Sequence, residues 1–341
     1  MALQVSHSPH VRDAATTQSL MRDVIIALLP ATFAGWYFFG LRAVLITCLS
    51  VLSSIVFEYI SRKIMKREQT ISDLSAIVTG LLLALNLPPT LPLYMVVIGA
   101  FFAIVVVKQF FGGLGNNFIN PALGARIFLV IAFPKAMTQW AVRSGAYFTR
   151  DALTGADMVS SATPLTLFRS SENLPSISDL FFGNRAGCIG EVCIAALLVG
   201  AIYLICRHVI RPVIPFFYLG TFILCVWLFG NTPIYTLFNQ DFTTLSAWSN
   251  LFYEPCYMLF SGGLILGAFF MATDYVTSPI TGKGKMLFGI GCGLFTFLIR
   301  YYGNISEGVS FAIIIMNILT PHIDTLTMRR PFGEVKAHEQ K

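Results

Sequence analysis

Uninterrupted apolar runs recur along almost the whole chain, and they restrict its fold more than any other feature. Leu93 to Val107, for example, carries no charged residue and no alternation of apolar with polar positions. A bilayer core about 30 Å thick takes roughly 20 apolar residues per helical crossing. Runs of that order predict ten spans, at 22–40, 42–60, 74–87, 93–111, 119–133, 187–206, 213–230, 257–272, 286–301 and 308–320. The expected fold class is therefore an all-α polytopic membrane protein. Membrane-barrel strands would alternate apolar and polar side chains over about 10 positions, and these runs do not. Composition agrees: 12% of residues are charged, against about a quarter in soluble domains. Residues 1–18 are polar with no apolar core before a cleavage site, so no signal peptide is expected.

The net charge of +6 follows topology and does not suggest a nucleic-acid partner. Arg62, Lys63, Lys66, Arg67, Arg207, Arg211, Lys283 and Lys285 fall on one side of the predicted spans, whereas the short loops of the other side hold only Arg42 and Arg300. The excess of Lys and Arg in cytoplasmic loops then predicts an inner-membrane protein with both termini cytoplasmic and the long segment 134–186 extracytoplasmic. The domain reading is a five-helix repeat at 1–133, the loop 134–186, a second five-helix repeat at 187–320 and a cytoplasmic tail at 321–341.

Weak echoes relate the two halves. Val78-Thr79-Gly80-Leu81-Leu82-Leu83 resembles Ser261-Gly262-Gly263-Leu264-Ile265-Leu266, and a Gly-Asn pair follows each, Gly115-Asn116 and Gly303-Asn304. An odd number of spans per unit requires the second copy to be inverted, which places a site near the midplane where the halves meet. The third and eighth spans are short and occupy matching positions, which points to the same place.

Ionisable groups in hydrocarbon cost roughly 2.5–3.5 kcal/mol each on insertion scales. Of Glu58, Asp73, Glu191, Glu254, Asp274 and Glu307, the two favoured for ion handling are Glu191, inside the sixth run, and Asp274, at the end of the eighth. Placement at the headgroup level, solvated or paired, is the competing reading. Thr273 and Thr277 join Asp274 in a cluster of hydroxyls and a carboxylate that Pro279 prevents from continuing as helix; it is either a cation or cofactor site or a plain helix exit. The cysteines at 48, 188, 193, 206, 225, 256 and 292 contain no Cys-x-x-Cys pair and the histidines lack ligand spacing, so no metal site is expected.

Within the long loop, Asp157 is followed by Ser160-Ser161-Ala162-Thr163-Pro164. Pro164 biases Thr163 to an extended conformation and suits the first position of a helix with Thr163 as its N-cap. The small residues 160–162 leave room for a bulky adduct, the helix start offers N–H groups to a phosphate, and Arg150 and Arg169 can add positive charge. The threonine is thus either an ordinary cap or the acceptor of an FMN phosphodiester.

Nearly the whole chain resembles the family that includes the D subunit of the Rnf complex and the B subunit of the sodium-translocating NADH:quinone reductase. The resemblance rests on the loop motif, on Gly112-Gly113-Leu114-Gly115-Asn116 with Asn120-Pro121-Ala122, and on Ala272-Thr273-Asp274-Tyr275-x-Thr277-Ser278-Pro279. It implies FMN joined covalently to Thr163 and a second, noncovalent flavin (riboflavin) between the halves. The implied partners are another FMN subunit, iron–sulfur subunits, a flavin transferase and Na+ or H+. Ser161 departs from the glycine usual at that place. The compact length is more similar to the Rnf subunit. The function expected is that of a redox subunit linking ferredoxin–NAD electron transfer to ion translocation. The rivals are a small-solute channel or secondary transporter, and the quinone-reductase subunit.

Overall fold

The computed structural model describes residues 16–143, 158–170, 174–183, 185–231, 245–303 and 307–328. Arg150, Asp157 and most of the tail lie outside the described residues. Helix dominates. In the first half, α1 (Thr17–Phe39), opened by a capping box between Thr16 and Ser19, runs into α2 (Leu41–Ile64) through Gly40. A 3-10 turn at Ile71–Asp73 leads to α3 (Ser75–Leu85); α4 (Leu93–Phe101) continues as a π-helix, Phe102–Gln109. Next comes α5 (Pro121–Ala132), capped by Asn120 with Pro121 at its first position.

The loop region contains α6 (Pro134–Met137), β1 (Ala141–Arg143), β2 (Met158–Ser160), α7 (Pro164–Ser170) and α8 (Ile177–Phe182). The strands pair antiparallel with Ala141 opposite Ser160, a small departure from the all-α expectation. The second half has α9 (Ile194–Cys206), α10 (Val213–Phe229) and α11 (Leu245–Phe260). It then has α12 (Leu264–Leu266) with its π continuation Gly267–Met271, α13 (Gly282–Tyr302) and α14 (Val309–Thr327).

Among the described residues, four helices (α1, α2, α13 and α14) are long and apolar enough to cross a membrane, and the pair α11–α12, bent by 71°, makes a fifth if counted as one span. Five shorter apolar helices accompany them. Each predicted apolar run contains helix, and side chains such as Leu52, Val56, Ile131 and Phe216 are exposed on the outside, as in a multi-pass membrane protein. Two runs differ from expectation. The sixth, predicted from 187, turns helical only at Ile194, so Glu191 lies before the helix and not within it. The eighth is interrupted at Ser261–Gly263. Both breaks are stabilised by polar contacts described below.

Small residues set the helix spacing, since apolar helices in lipid associate through close packing. Gly200 of α9 lies so near α1 that a Cβ there would sit 2.0 Å from the Ala27 carbonyl oxygen; at Gly293 of α13 it would sit 2.6 Å from the Tyr218 oxygen of α10. Ser50 of α2 donates to the Gly80 carbonyl of α3 at 2.7 Å. Gly220, by contrast, has open space around it. Gly200→Ala is expected to destabilise the protein by about 1–3 kcal/mol through overpacking, seen as a lower unfolding temperature in detergent. Gly220→Ala should leave that temperature unchanged.

Candidate functional site

Helices that end inside an apolar bundle leave carbonyls that water cannot reach. At the end of α3 these are taken by the segment that precedes α9. Gly190 N donates to Leu85 O at 2.8 Å, Ile189 N to Leu87 O at 3.1 Å, and Cys188 Sγ to Asn86 O at 3.2 Å. The Asn86 side chain folds back onto Leu82 O. At the end of α11 two buried arginines serve instead. Arg300 of α13 donates to Met258 O at 2.7 Å and Ser261 O at 3.1 Å, and Arg185 to Phe260 O and Glu191 O. Positive charge at a helix C-terminus is the favourable sign.

A third arginine joins the two breaks. Arg126 of α5 donates to Asn86 Oδ1 at 2.8 Å, pairs with Glu307 and reaches Cys188 Sγ at 3.6 Å. Glu191 completes the group: its Oε1 accepts from Cys188 N at 2.8 Å, while its Oε2 has no hydrogen-bond partner among the described residues although the side chain is 3% exposed. Two glycines stand opposite. A Cβ on Gly263 would stand 3.2 Å from Glu191 Oε2, and one on Gly262, whose φ is +65°, would stand 3.1 Å from an Arg300 nitrogen. Three guanidinium groups and two carboxylates thus surround the turn between α11 and α12.

Cys188 Sγ and one carboxylate oxygen each of Glu191 and Glu307 lie within 4.8 Å of one another. Such a set can ligate a metal, but Arg126 bonds both Cys188 and Glu307 and so supplies positive charge to two of the three donors.

The loop threonine lies against the same turn. Thr163 caps α7, its Oγ1 accepting from Thr166 N at 3.3 Å, and it is 5% exposed. Ser161 and Ala162 are exposed; Ser161 N donates to Trp140 O at 2.9 Å, and Ser160 ends β2. α7 is seated on the second half: Tyr257 Oη donates to Pro164 O at 3.1 Å, and Phe168 stacks on Tyr257 with centroids 5.3 Å apart. Leu165 fills the space beside Gly262. Arg169 donates to the carbonyls of Arg300 and Gly303, closing the end of α13.

Asp274 belongs to a different place. It follows the π-helix at the other end of the half-span 264–271, which is about 12 Å long. Its Oδ2 accepts from Thr277 Oγ1 at 3.2 Å, and Thr273 Oγ1 bonds Phe269 O at 2.7 Å. Asp274 and Thr273 line a cleft between the halves whose other walls include Leu20, Ser75, Thr79, Lys108, Asn117, Asn120, Leu204 and Phe270. The structure therefore brings Asp274, Thr273 and Thr277 together, and sets Glu191 apart beneath the loop threonine. Reading the sequence for buried carboxylates passes over Arg126, Arg185, Arg300 and Asn86. The cost of a charge in hydrocarbon applies equally to cations, and on that ground Arg126, inside an apolar run, is visible in the sequence.

Because removing one member of a buried pair strands the other, Arg126→Gln or Glu307→Gln is expected to cost about 3–5 kcal/mol. The double variant should lose less than the sum of the two. Thermal unfolding of the four proteins in detergent measures the coupling.

Comparison with known proteins places this architecture. Residues 4–333 match the model of the NQR2, RnfD, RnfE family. The chain is similar to the D subunit of the Na(+)-translocating ferredoxin:NAD(+) oxidoreductase complex of Acetobacterium woodii, 44% identical over 99% of this chain and 98% of that one. It is also similar to the D subunit of the proton-translocating ferredoxin:NAD(+) oxidoreductase complex of Clostridium ljungdahlii, 38% identical over 96% of each. To the D subunit of the ion-translocating oxidoreductase complex of Shewanella amazonensis it is 34% identical over 98% and 99%. With a family match spanning residues 4–333 and relatives matched over nearly their full length, the chain belongs to the NQR2, RnfD, RnfE family.

Proposed function

We propose that this chain is the flavin-carrying membrane subunit of an ion-translocating complex that passes electrons between ferredoxin and NAD. The observation that carries the reading is the 44% identity, end to end, with the D subunit of a complex named for that reaction. In this reading the chain crosses the membrane ten times as two inverted five-helix repeats, with both termini cytoplasmic and the loop outside. Its partners are a second FMN subunit, iron–sulfur subunits and the flavin transferase. Relatives named for Na+ and for protons leave both ions as cargo.

FMN esterified to Thr163 would supply one- and two-electron chemistry on the loop side, and the protein supplies position and exclusion of water. Exposed Ser161 and Ala162 beside the threonine suit a bulky adduct. The ester withdraws Thr163 Oγ1 from its cap on Thr166, a change of about 1 kcal/mol, for which phosphate oxygens can substitute as acceptors. Since Thr163 is buried when α7 is seated on Tyr257, the transferase acts before that docking. The cleft beside Asp274, whose walls combine apolar and aromatic side chains with polar ones such as Lys108, Asn117 and Asn120, suits the second, noncovalent flavin. Glu191 Oε2, a buried acceptor without a donor among the described residues, is the group that a proton or cation would satisfy, and α12 links it to the cleft.

In-gel fluorescence of the denatured protein, made together with its transferase, tests the covalent link. A fluorescent wild-type band that disappears in Thr163→Val is expected. A dark wild-type band, with the transferase verified on a control substrate, would favour the solute-transporter reading.

A further inference from the structure

The wall of the cleft carries a second buried charge that neither the loop threonine nor the Glu191 cluster uses. Lys108, 1% exposed, lies in the π-helix 102–109. A lysine has three donors. Two are committed, at 2.7 Å to Glu58 Oε2 of α2 and at 2.7 Å to Ser75 Oγ at the start of α3. Ser75 then donates to Asp73 Oδ1 from both its backbone N–H, at 2.8 Å, and its Oγ, at 2.5 Å. Between them Leu74 holds a left-handed φ of +64°, a conformation that non-glycine residues rarely adopt; the strained turn sets the Asp73 carboxylate against both donors. Asp73 is partly exposed, and Ser75 and Lys108 both line the cleft.

We propose that Asp73, Ser75 and Lys108 form a proton-access chain that carries the chemical proton from the end of the bundle to a redox group bound in the cleft. The inference rests on the reading that the cleft holds a flavin, and it concerns the proton of the redox chemistry, distinct from the pumped ion. A buried ammonium needs a counter-ion, and Glu58, steadied by Thr70 Oγ1 at 2.9 Å, provides it. Through Ser75 the contact continues from the buried ammonium to a partly exposed carboxylate, the continuity that a proton path needs.

As negative charge arrives in the cleft, Lys108 Nζ releases one proton to it and becomes a neutral amine. Asp73 takes a proton from bulk water and passes it to Ser75 Oγ, while the serine's own hydroxyl proton moves to Nζ. One proton enters, one leaves, and the chain returns to its starting charge; the electrons come from the complex. Among the described residues, the charged groups around Lys108 are Glu58 on α2, Asp73 ahead of α3 and Asp274 across the cleft. Arg62 and Arg67 approach the neighbouring Gln109, Arg67 donating to its carbonyl at 3.0 Å.

The test uses the assembled complex with Ser75→Ala or Asp73→Asn, which break the chain and leave the Lys108–Glu58 pair in place. Acid extraction reads noncovalent flavin content; rapid mixing with reductant and a pH-indicator dye reads proton uptake alongside flavin bleaching. The expected result is normal flavin content in Asp73→Asn, which is not part of the cleft lining, with proton uptake slowed roughly 10²-fold in both variants, the scale of a lost proton donor, and restored in Asp73→Asn by a small weak acid. Wild-type uptake rates in both variants at normal flavin content would overturn the chain alone. Flavin present in the wild type but lost from the variants would make these residues part of the binding wall and overturn the proton role. A wild-type complex with no extractable flavin would overturn the cleft reading and this inference with it.

Discussion

A carbonyl that ends a helix inside an apolar bundle must find a donor there, and this requirement organises the centre of the molecule. Two helices, α3 and α11, stop short. The segment 185–191 answers the first with its own backbone, and Arg185 and Arg300 answer the second. The arginines bring charge with them, the charge draws in Glu191 and Glu307, and Arg126 ties the two ends together through Asn86. The polar cluster follows from breaking the helices, and the broken helices are what give the bundle an interior able to do more than pack.

The apolar runs are legible in the sequence because hydrocarbon tolerates few alternatives to helix. The breaks are harder to see. Gly187, Cys188, Ile189, Gly190, Val192 and Cys193 are all apolar or small, so composition extends the sixth run to 187, and only the pairing with Leu85 and Leu87 reveals a non-helical backbone. The cost of burying a carboxylate marks Glu191, correctly as to burial and incorrectly as to its place within a helix. The loop motif marks Thr163, but the helix it caps is seated by Tyr257, 93 residues away from Pro164. Arg169 reads locally as a charge near the threonine, although its partners lie on α13. Long-range partners of this kind leave no local signature.

The half-span 264–271 stands between two chemically different surroundings. At one end lie the loop threonine and a dense set of paired charges; at the other, a cleft with aromatic walls and a lysine in a π-helix. Each end is held by residues of both halves, so a shift of α12 is felt at both. The π geometry of residues 267–271 leaves this segment one of the few in the bundle not locked by regular α-helical bonding, as is frequent where helices do functional work.

Arg300 stands 39 residues beyond Ser261, whose carbonyl it caps. A ribosome therefore delivers the break in the eighth run well before the side chain that satisfies it. Until α13 enters the membrane, the end of α11 has only Arg185 to rely on, and the turn at Gly262 has no reason to hold its bend. The bend between α11 and α12 is thus a late event in biogenesis, and a nascent chain arrested before α13 would carry the same residues without the cluster and without a seat for the loop.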